Sequence, residues 1–177
     1  MTPSLIEELS FWFKNLQAFN GYSIRPKVNF AKININSDAS ETQFGGFSLH
    51  IDTVPVQAKW SSSDEALGSS TFRELKAIYY ILYCWRTFLQ DKRVEVFCDN
   101  ENACRIISIG SCKPHLQNIA IDIFNLCLEN PFEIEAQWLP REQNQIADQL
   151  SRFVDKATAP LITKFLRHLM HSGVLIR

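Results

Sequence analysis

The spacing of apolar residues changes from alternation to a helical period near residue 70 of this 177-residue chain. Before that point Lys32–Asp38 alternates in polarity, and strand-like stretches follow at Phe44–Ile51 and Val54–Trp60. After it, Thr71–Leu89 carries apolar residues three and four positions apart, which predicts a long helix. A strand meander followed by helices alternating with strands predicts an α/β fold with a mixed sheet covered by helices.

The rest of the chain completes this order and sets the expected domain limits. Two more strands are predicted at Val94–Cys98 and Phe132–Trp138, which makes a five-stranded sheet. Further helices are predicted at Asn100–Ile109, Pro114–Leu128, Gln143–Phe153 and Pro160–Met170. We expect an N-terminal helix in residues 1–21, one folded domain in residues 22–156 and a C-terminal helical extension in residues 157–177.

Composition limits the function classes. The formal net charge is −1, so the chain lacks the overall basic excess that is usual in proteins that bind nucleic acid on their own. The five cysteines are odd in number and lack paired-cysteine spacing, which indicates reduced thiols in an intracellular protein of the cytoplasm or nucleus. No apolar run reaches transmembrane length and no signal peptide is recognisable, so no membrane partner is expected.

Four acidic residues lie in distinctive local sequences: Asp38 in INSDAS, Glu74 in FRELKAI, Asp99 in VFCDNENA and Asp148 in NQIADQLSR. Asp38 ends the first strand and Asp99 follows the fourth, so the two meet at one sheet edge if these strands pair in parallel. Converging carboxylates repel one another and raise each other's pKa. A pair of divalent cations removes that repulsion and is suited to phosphodiester cleavage.

Each acid also has an ordinary structural explanation. Asp38 fits a turn after a strand, and Glu74 fits a solvated helix acid or a partner of a neighbouring basic residue. Asp99 with Asn100 fits a helix cap, and Asp148 fits an ion pair with Arg152 four residues on. The tryptophans and phenylalanines are predicted core residues, and Cys98 is predicted to be a small packed apolar residue. The joint order and spacing of the acids favour a shared metal site.

The motifs SDAS, RELKAI, CDNENA and WLPREQNQIADQLSR resemble, in type and order, the four catalytic stations of ribonuclease H. The resemblance covers roughly residues 7–155 and is greatest to ribonuclease H domains of retrotransposons, in particular DIRS-like (tyrosine-recombinase) elements. It implies a ribonuclease H-like fold for residues 22–156 and a connection to a polymerase-type region through residues 1–21. It also implies a reverse transcriptase partner in a longer polyprotein.

The same resemblance implies a reaction and a site. Asp38, Glu74, Asp99 and Asp148 would be both catalytic residues and ligands of two Mg²⁺ or Mn²⁺ ions. The substrate would be an RNA/DNA hybrid, whose RNA strand is hydrolysed during reverse transcription. An enzyme that selects RNA must sense the 2′-hydroxyl, for which the backbone of Ala39–Thr42 is the natural candidate.

Other substrate contacts are predicted around the acids. The candidates for binding sugar, base edge or phosphate, including two from the turn after Asp38, are Ala39, Ser40, Arg73, Asn100, Lys113 and Arg141.

The chain departs in three places from the ribonucleases H that it resembles. The loop between Trp138 and Asn144 lacks the histidine of the cellular enzymes, and a long basic insertion is missing where Ser108–Lys113 spans the gap. The aspartate-rich ending expected after Asp155 in DIRS-like elements is replaced by Ala157–Arg177. An alternative function therefore stays open: a catalytically weak or inactive binding module from a truncated or domesticated element. The presence of all four acids favours the nuclease.

Overall fold

The computed structural model describes residues 2–19, 30–51, 54–60 and 68–152. Residues 1–30 and 31–177 form separate units. The first unit contains helix α1, Pro3–Phe19. Its large apolar side chains, including Leu9, Trp12 and Phe13, are exposed. The predicted turn at 52–53 and the predicted C-terminal extension lie outside the described residues.

The second unit alternates strands and helices in the predicted order. Its strands are β1 (Ala31–Ala39), β2 (Gln43–Phe47), β3 (Val56–Lys59), β4 (Lys92–Cys98) and β5 (Glu133–Trp138). Its helices are α2 (Ser70–Leu89), α3 (Glu101–Ile109), α4 (Pro114–Glu129) and α5 (Gln145–Arg152), with a 3₁₀ turn at Arg141–Gln143 before α5. Among the described helices, none has the length and apolarity needed to cross a membrane.

The five strands form one mixed sheet in the order β3-β2-β1-β4-β5. β1 pairs antiparallel with β2, and β2 pairs antiparallel with β3, which is the predicted meander. β1 and β4 pair in parallel, as do β4 and β5. The predicted five-stranded mixed sheet flanked by helices is confirmed.

The main core lies between the sheet and α2. Ile33 pairs with Val94 and Ile35 with Val96, so these four side chains share one face of the central strands. All four are buried in one cluster with the apolar stripe of α2, which includes Leu75, Ile78 and Leu82. The alternation in β1 and the helical period in α2 thus meet in the same hydrophobic layer.

The short helix α5 covers the other face of β2. A Cβ added to Gly45 would meet Leu150 Cβ of α5 at 2.4 Å, whereas one added to Gly46 would meet Ile81 Cδ1 of α2 at 2.4 Å. Consecutive strand residues point to opposite faces, so α5 and α2 lie on opposite sides of the sheet at this point. Phe47, Ala147 and Leu150 form a second, smaller apolar cluster there.

Two sequence predictions need correction. β2 ends at Phe47 rather than at Ile51, because the later apolar residues pack without continuing the ladder: Leu49 packs in the small cluster and Ile51 in the main core. Several aromatic residues that were predicted as core are 41–88% exposed and are not core residues: Trp12, Phe13, Phe88, Phe124 and Trp138. Trp60 and Trp85 are buried as predicted.

Candidate active site and metal centre

Parallel pairing brings Asp38 and Asp99 to one edge of the sheet. Asn36 pairs with Phe97, so two residues further along the strands these aspartates stand at corresponding positions. Asp38 is the penultimate residue of β1, and Asp99 directly follows β4. Asp38 is buried within a strand rather than exposed in a turn. The carboxyl ends of neighbouring parallel strands are where α/β folds place their ligand sites.

Glu74 reaches the same edge from α2. The helix is capped by Ser69, whose hydroxyl accepts the backbone N–H of Phe72 at 3.1 Å, and Glu74 lies in its second turn. Both carboxylate oxygens are held: Ala39 N donates to Oε1 at 3.2 Å, and Cys98 Sγ donates to Oε2 at 3.5 Å. Glu74 is therefore a buried, oriented carboxylate and not a solvated helix acid. Cys98 is buried as predicted, but its thiol also has a polar role.

The Asp38 carboxylate is tied to α5. Ser151 Oγ donates a short hydrogen bond to Asp38 Oδ2. The carbonyl oxygen of Asp148 lies 2.9 Å from the same hydroxyl and is the alternative acceptor for its single proton. Ser151 is buried. Sequence reasoning missed this contact because the two residues are 113 positions apart, although Ser151 lies within the quoted motif QLSR.

Asp148, on the first turns of α5, is paired with two arginines. Arg141 Nε donates to Oδ1 at 3.1 Å, and a second guanidinium nitrogen of Arg141 reaches the same oxygen. Arg152 Nε lies 2.9 Å from Oδ2, which is the i,i+4 pair considered from the sequence. The side chain of Asp148 is 22% exposed, so this carboxylate is the most open to solvent among Asp38, Glu74 and Asp148.

The carboxylates act on one another electrostatically. Burial raises the pKa of Asp38 to about 6; the Ser151 hydrogen bond opposes this rise, while the charges of Asp99 and Asp148 add to it. Burial, with the charges of Asp38 and Asp99, raises the pKa of Glu74 well above its usual value. Burial also raises the pKa of Asp99, the Arg141 charge opposes the rise, and Asp148 adds to it. Each shift is the response of an acid among like charges in a poorly solvated site.

The donor set fits a divalent cation. Carboxylate oxygens of Glu74 and Asp99 and the Cys98 sulfur all lie within 4.8 Å of one another. Burying several carboxylates together is unfavourable unless a cation or protons neutralise them. Oxygen-rich sites completed by water and substrate phosphate are those that Mg²⁺ prefers.

Polar side chains anchor α5 to the sheet. Asn144 is buried; its Nδ2 donates to Ser37 O at 2.8 Å, and its Oδ1 accepts from Asn36 Nδ2 at 3.3 Å. Gln43 and Gln57 donate to the Leu150 carbonyl at 3.3 and 2.6 Å. The sequence analysis assigned no role to Asn144, Gln43 or Gln57, although Asn144 and its partner Asn36 lay within quoted motifs.

The loop after β5 is tied to the same edge. Trp138 Nε1 donates to the Asp99 carbonyl at 3.1 Å, and Leu139 N donates to the Cys98 carbonyl at 3.1 Å. These bonds place the 3₁₀ turn that carries Arg141 beside the acidic cluster. An exposed tryptophan thus has a positioning contact that its apolar character did not suggest.

The candidate substrate-binding residues take different positions. Ala39 N is used by Glu74, and Ser40 N donates to Gln43 O at 2.9 Å within a tight turn. Asn100 caps α3, because its Oδ1 accepts from Ala103 N at 3.0 Å. Arg73 donates to Gly68 O at 3.1 Å, and Lys113 stands at the N-cap of α4 without a side-chain cap bond. Among these candidates, two contact acids of the proposed set: Ala39 through its backbone N–H to Glu74, and Arg141 through its side chain to Asp148.

The cysteines are all free thiols, as predicted: Cys84, Cys98, Cys104, Cys112 and Cys127.

Similarity to known proteins agrees with this architecture. Residues 70–154 match the profile of a family described as "Reverse transcriptase-like". No curated protein sequence matches the chain.

Solved structures give the fold directly. LC11-RNase H1 in complex with an RNA/DNA hybrid superposes with a TM-score of 0.57 at 22% identity, over 71% of this chain and 98% of that one. RNase H1 from Halobacterium salinarum gives 0.53 at 17% identity, over 68% and 94%. The N-terminal RNase H domain of a Mycobacterium tuberculosis protein gives 0.52 at 16% identity, over 76% and 98%. This chain has a ribonuclease H-like fold.

Proposed function

We propose that this protein is a metal-dependent endonuclease that hydrolyses the RNA strand of RNA/DNA hybrids. The observation that carries the proposal is the convergence of Asp38, Glu74 and Asp99 at the carboxyl ends of parallel β1 and β4, with Asp148 of α5 acting on the same cluster. The ribonuclease H-like fold and the solved relative that holds a hybrid support the same activity.

The proposed roles follow from how each side chain is held. Asp38, Glu74, Asp99 and Asp148 would hold two Mg²⁺ or Mn²⁺ ions. Such a pair of ions, when bound, activates water and stabilises charge on the leaving oxygen of a phosphodiester. Ser151 orients Asp38, and Ala39 N–H with the Cys98 thiol orients Glu74. Fixing these carboxylates before substrate arrives removes a reorganisation cost from the reaction.

Substrate contacts are proposed on both sides of the cluster. Arg141 is the closest cation, and Arg73 and Lys113 lie at the N-termini of α2 and α4, where helix dipoles also favour phosphate. The Nδ2 group of Asn100 is a candidate for a sugar or base edge, since its Oδ1 caps α3. The turn at Ala39 and Ser40 stays the proposed place where the 2′-hydroxyl is sensed.

The biological setting is also proposed from sequence motifs. The motif WLPREQNQIADQLSR and the reverse transcriptase-like match support a retroelement domain, of DIRS-like type, that acts beside a reverse transcriptase inside the cell. Residues 1–21 would connect it to the polymerase region, and residues 157–177 would form a helical extension.

The test is cleavage of a labelled RNA/DNA hybrid by the full chain with Mg²⁺ or Mn²⁺. We expect cutting of the RNA strand, with single-stranded RNA and duplex DNA left largely intact. Asp38→Asn should lower the rate by on the order of 10²–10³-fold, because it removes a carboxylate that is proposed to hold the cations stabilising the reacting phosphate. Asp122→Asn makes the same chemical change at an exposed position of α4 and should leave the rate unchanged.

The result separates the two functional classes. Cleavage of the hybrid by Asp38→Asn at the wild-type rate would show that the site is assigned wrongly. Binding of hybrid by the wild type without any cleavage would support the binding module instead. Equal cleavage of single-stranded RNA would indicate another class of nuclease.

A further inference from the structure

The pairing of Asp148 conflicts with its proposed role as a ligand. Arg141 occupies Oδ1 with two guanidinium nitrogens, and Arg152 lies 2.9 Å from Oδ2. A carboxylate whose two oxygens both face guanidinium groups is a poor cation ligand until at least one arginine moves away. Asp38 and Glu74 are held differently, by uncharged hydroxyl, amide and thiol donors.

Arg141 is the partner that is free to move. Its side chain is 56% exposed and extends from a 3₁₀ turn rather than from α5 itself. Arg152 pairs with Asp148 from one turn further along the same helix, so its pairing is local. The charge of Arg141 also opposes the rise in the pKa of Asp99 and of Asp38, so it acts on these two carboxylates as well as on Asp148.

A phosphate is a strong competitor for this arginine. Ion pairs that are partly exposed to water contribute only about 0–1 kcal/mol to stability. Separating Arg141 from Asp148 therefore costs little free energy. Arg forms paired hydrogen bonds to phosphate oxygens as readily as to a carboxylate. A hybrid strand entering the cluster brings phosphate groups to the position that the guanidinium already faces.

We propose that Arg141 exchanges partners when substrate binds: it pairs with Asp148 in the free protein and with a hybrid phosphate in the complex. The exchange releases Asp148 to complete the acid set only when a strand is present. Arg141 is then a positioning residue that couples substrate binding to cation binding. This inference rests on the proposed function, because it assigns Asp148 to the cation site and a nucleic-acid strand to the cleft.

Cation binding without nucleic acid gives the first test. Mn²⁺ binding to the full chain is measured by titration calorimetry and by the spin-resonance signal of free Mn²⁺. Arg141→Gln should strengthen binding at the weaker site about fivefold, as expected for loss of a partly exposed ion pair. Arg93→Gln is the matched control: Arg93 pairs with Glu135 at 2.6 Å, is 42% exposed and lies elsewhere on the sheet, so Mn²⁺ binding should not change.

A double variant separates partner exchange from general electrostatics. If Arg141 acts through Asp148, then adding Arg141→Gln to Asp148→Asn should have little further effect on Mn²⁺ affinity. The same fivefold gain in both backgrounds would mean that Arg141 merely opposes cations through its charge. That result would overturn the exchange.

Hybrid binding in EDTA gives the second test, since no cleavage occurs there. Arg141→Gln should weaken binding and lower the salt slope by about 1, the value for one phosphate contact. Arg141→Lys should keep the slope, because Lys still contacts phosphate as a point charge. Arg93→Gln should leave both affinity and slope unchanged.

An unchanged slope in Arg141→Gln, or weaker Mn²⁺ binding, would overturn the proposal. Both tests are independent of turnover. If Arg141→Gln shows both the stronger Mn²⁺ binding and the lower salt slope while the wild type does not cut the hybrid, the nuclease activity is refuted and the exchange is still supported.

Discussion

Asp38 shows how a buried carboxyl group opposes folding. Its carboxyl group is buried, and its pKa rises from 3.8 to about 6 because burial disfavours the charged form. One pKa unit corresponds to about 1.4 kcal/mol, so ionised Asp38 destabilises the native state by about 3 kcal/mol at neutral pH. The hydrogen bond from Ser151 stabilises the ionised form and offsets part of the free-energy cost of burying it.

The pH dependence of stability follows with a definite sign. Between pH 3.8 and about 6 the unfolded chain has lost the Asp38 proton and the native protein still holds it, so stability falls as pH rises. Asp38→Asn should remove this term and raise the free energy of unfolding by roughly 1–3 kcal/mol at pH 7.5, with no gain at pH 3.5. Urea denaturation at both pH values measures it.

The control is Asp122→Asn, which changes an exposed carboxylate and should keep the wild-type pH profile. If the free energy of unfolding fell equally in Asp38→Asn and in the wild type between pH 3.8 and about 6, the pH dependence would be wrongly assigned to Asp38. The metal ions must be removed with chelator, because a bound cation would stabilise the ionised form.

Sequence analysis at the residue scale identified the acids and the pair of Asp148 with Arg152, but not their other partners. Asp38 and Asp99 could be placed together because strand ends in a parallel pair have a predictable position. Ser151 and Asn144 were given no role and Trp138 was predicted as a core residue, because their contacts to β1 and to Asp99 depend on how α5 and the loop before it dock. Such contacts join residues up to 113 positions apart, and local patterns do not encode them.

At the scale of elements, α5 depends on the sheet. It has eight residues, and isolated helices below about 12–15 residues are marginal in water. Its position is fixed by the apolar cluster with Phe47, by Asn144 and by the close approach of Leu150 to Gly45. The helix therefore places Asp148 and Ser151 only while this packing is intact.

Gly45→Ala should displace α5, because the new methyl group would overlap Leu150 backbone and side-chain atoms at 2.4–2.6 Å. Overpacking of this kind costs about 1–3 kcal/mol. Amide exchange should speed up in α5, and hybrid cleavage should fall at least tenfold under conditions where the protein stays folded.

Gly46→Ala provides the comparison. Its methyl group would meet Ile81 of α2 on the opposite face, so stability should fall without selective opening of α5. Equal effects of the two variants on α5 exchange and on cleavage would contradict the role given to Gly45.

Element boundaries were mostly predictable, and the exceptions have physical causes. The strands β1 and β4 and the helix α2 were predicted within about two residues, since their apolar periods are long and regular. β2 was predicted four residues too long, because Leu49 and Ile51 are apolar for packing rather than for strand pairing. Trp12 and Phe13 of α1 were predicted to be core residues but are exposed, because aromatic character does not specify what covers a helix.

Charge is the property of the whole molecule that limits its binding. The formal net charge is −1, and the proposed cleft concentrates acids. Basic nucleic-acid-binding domains, by contrast, release many counterions on binding. Among the residues that the structure describes, the cations proposed to contact phosphates are Arg73, Lys113 and Arg141.

Binding of hybrid in EDTA should therefore be weak, with a shallow salt dependence. With ~2–4 phosphate contacts, each adding roughly 0.9, the slope of log affinity against log salt should have a magnitude of about 2–4. Ca²⁺ should strengthen binding, because it reduces the repulsion between phosphates and the acids. Fluorescence anisotropy over a salt series measures both quantities, and tight, steeply salt-dependent binding in EDTA would contradict this expectation.

The order of the acids along the chain has a consequence for biosynthesis. Asp38, Glu74 and Asp99 precede Asp148 and Ser151, which belong to the last described helix. A ribosome delivers these residues from the amino end, so a nascent chain holds three carboxylates well before it gains the fourth and the hydroxyl that orients the first. On the proposed function, the growing polypeptide cannot cleave an RNA/DNA hybrid until the domain is finished.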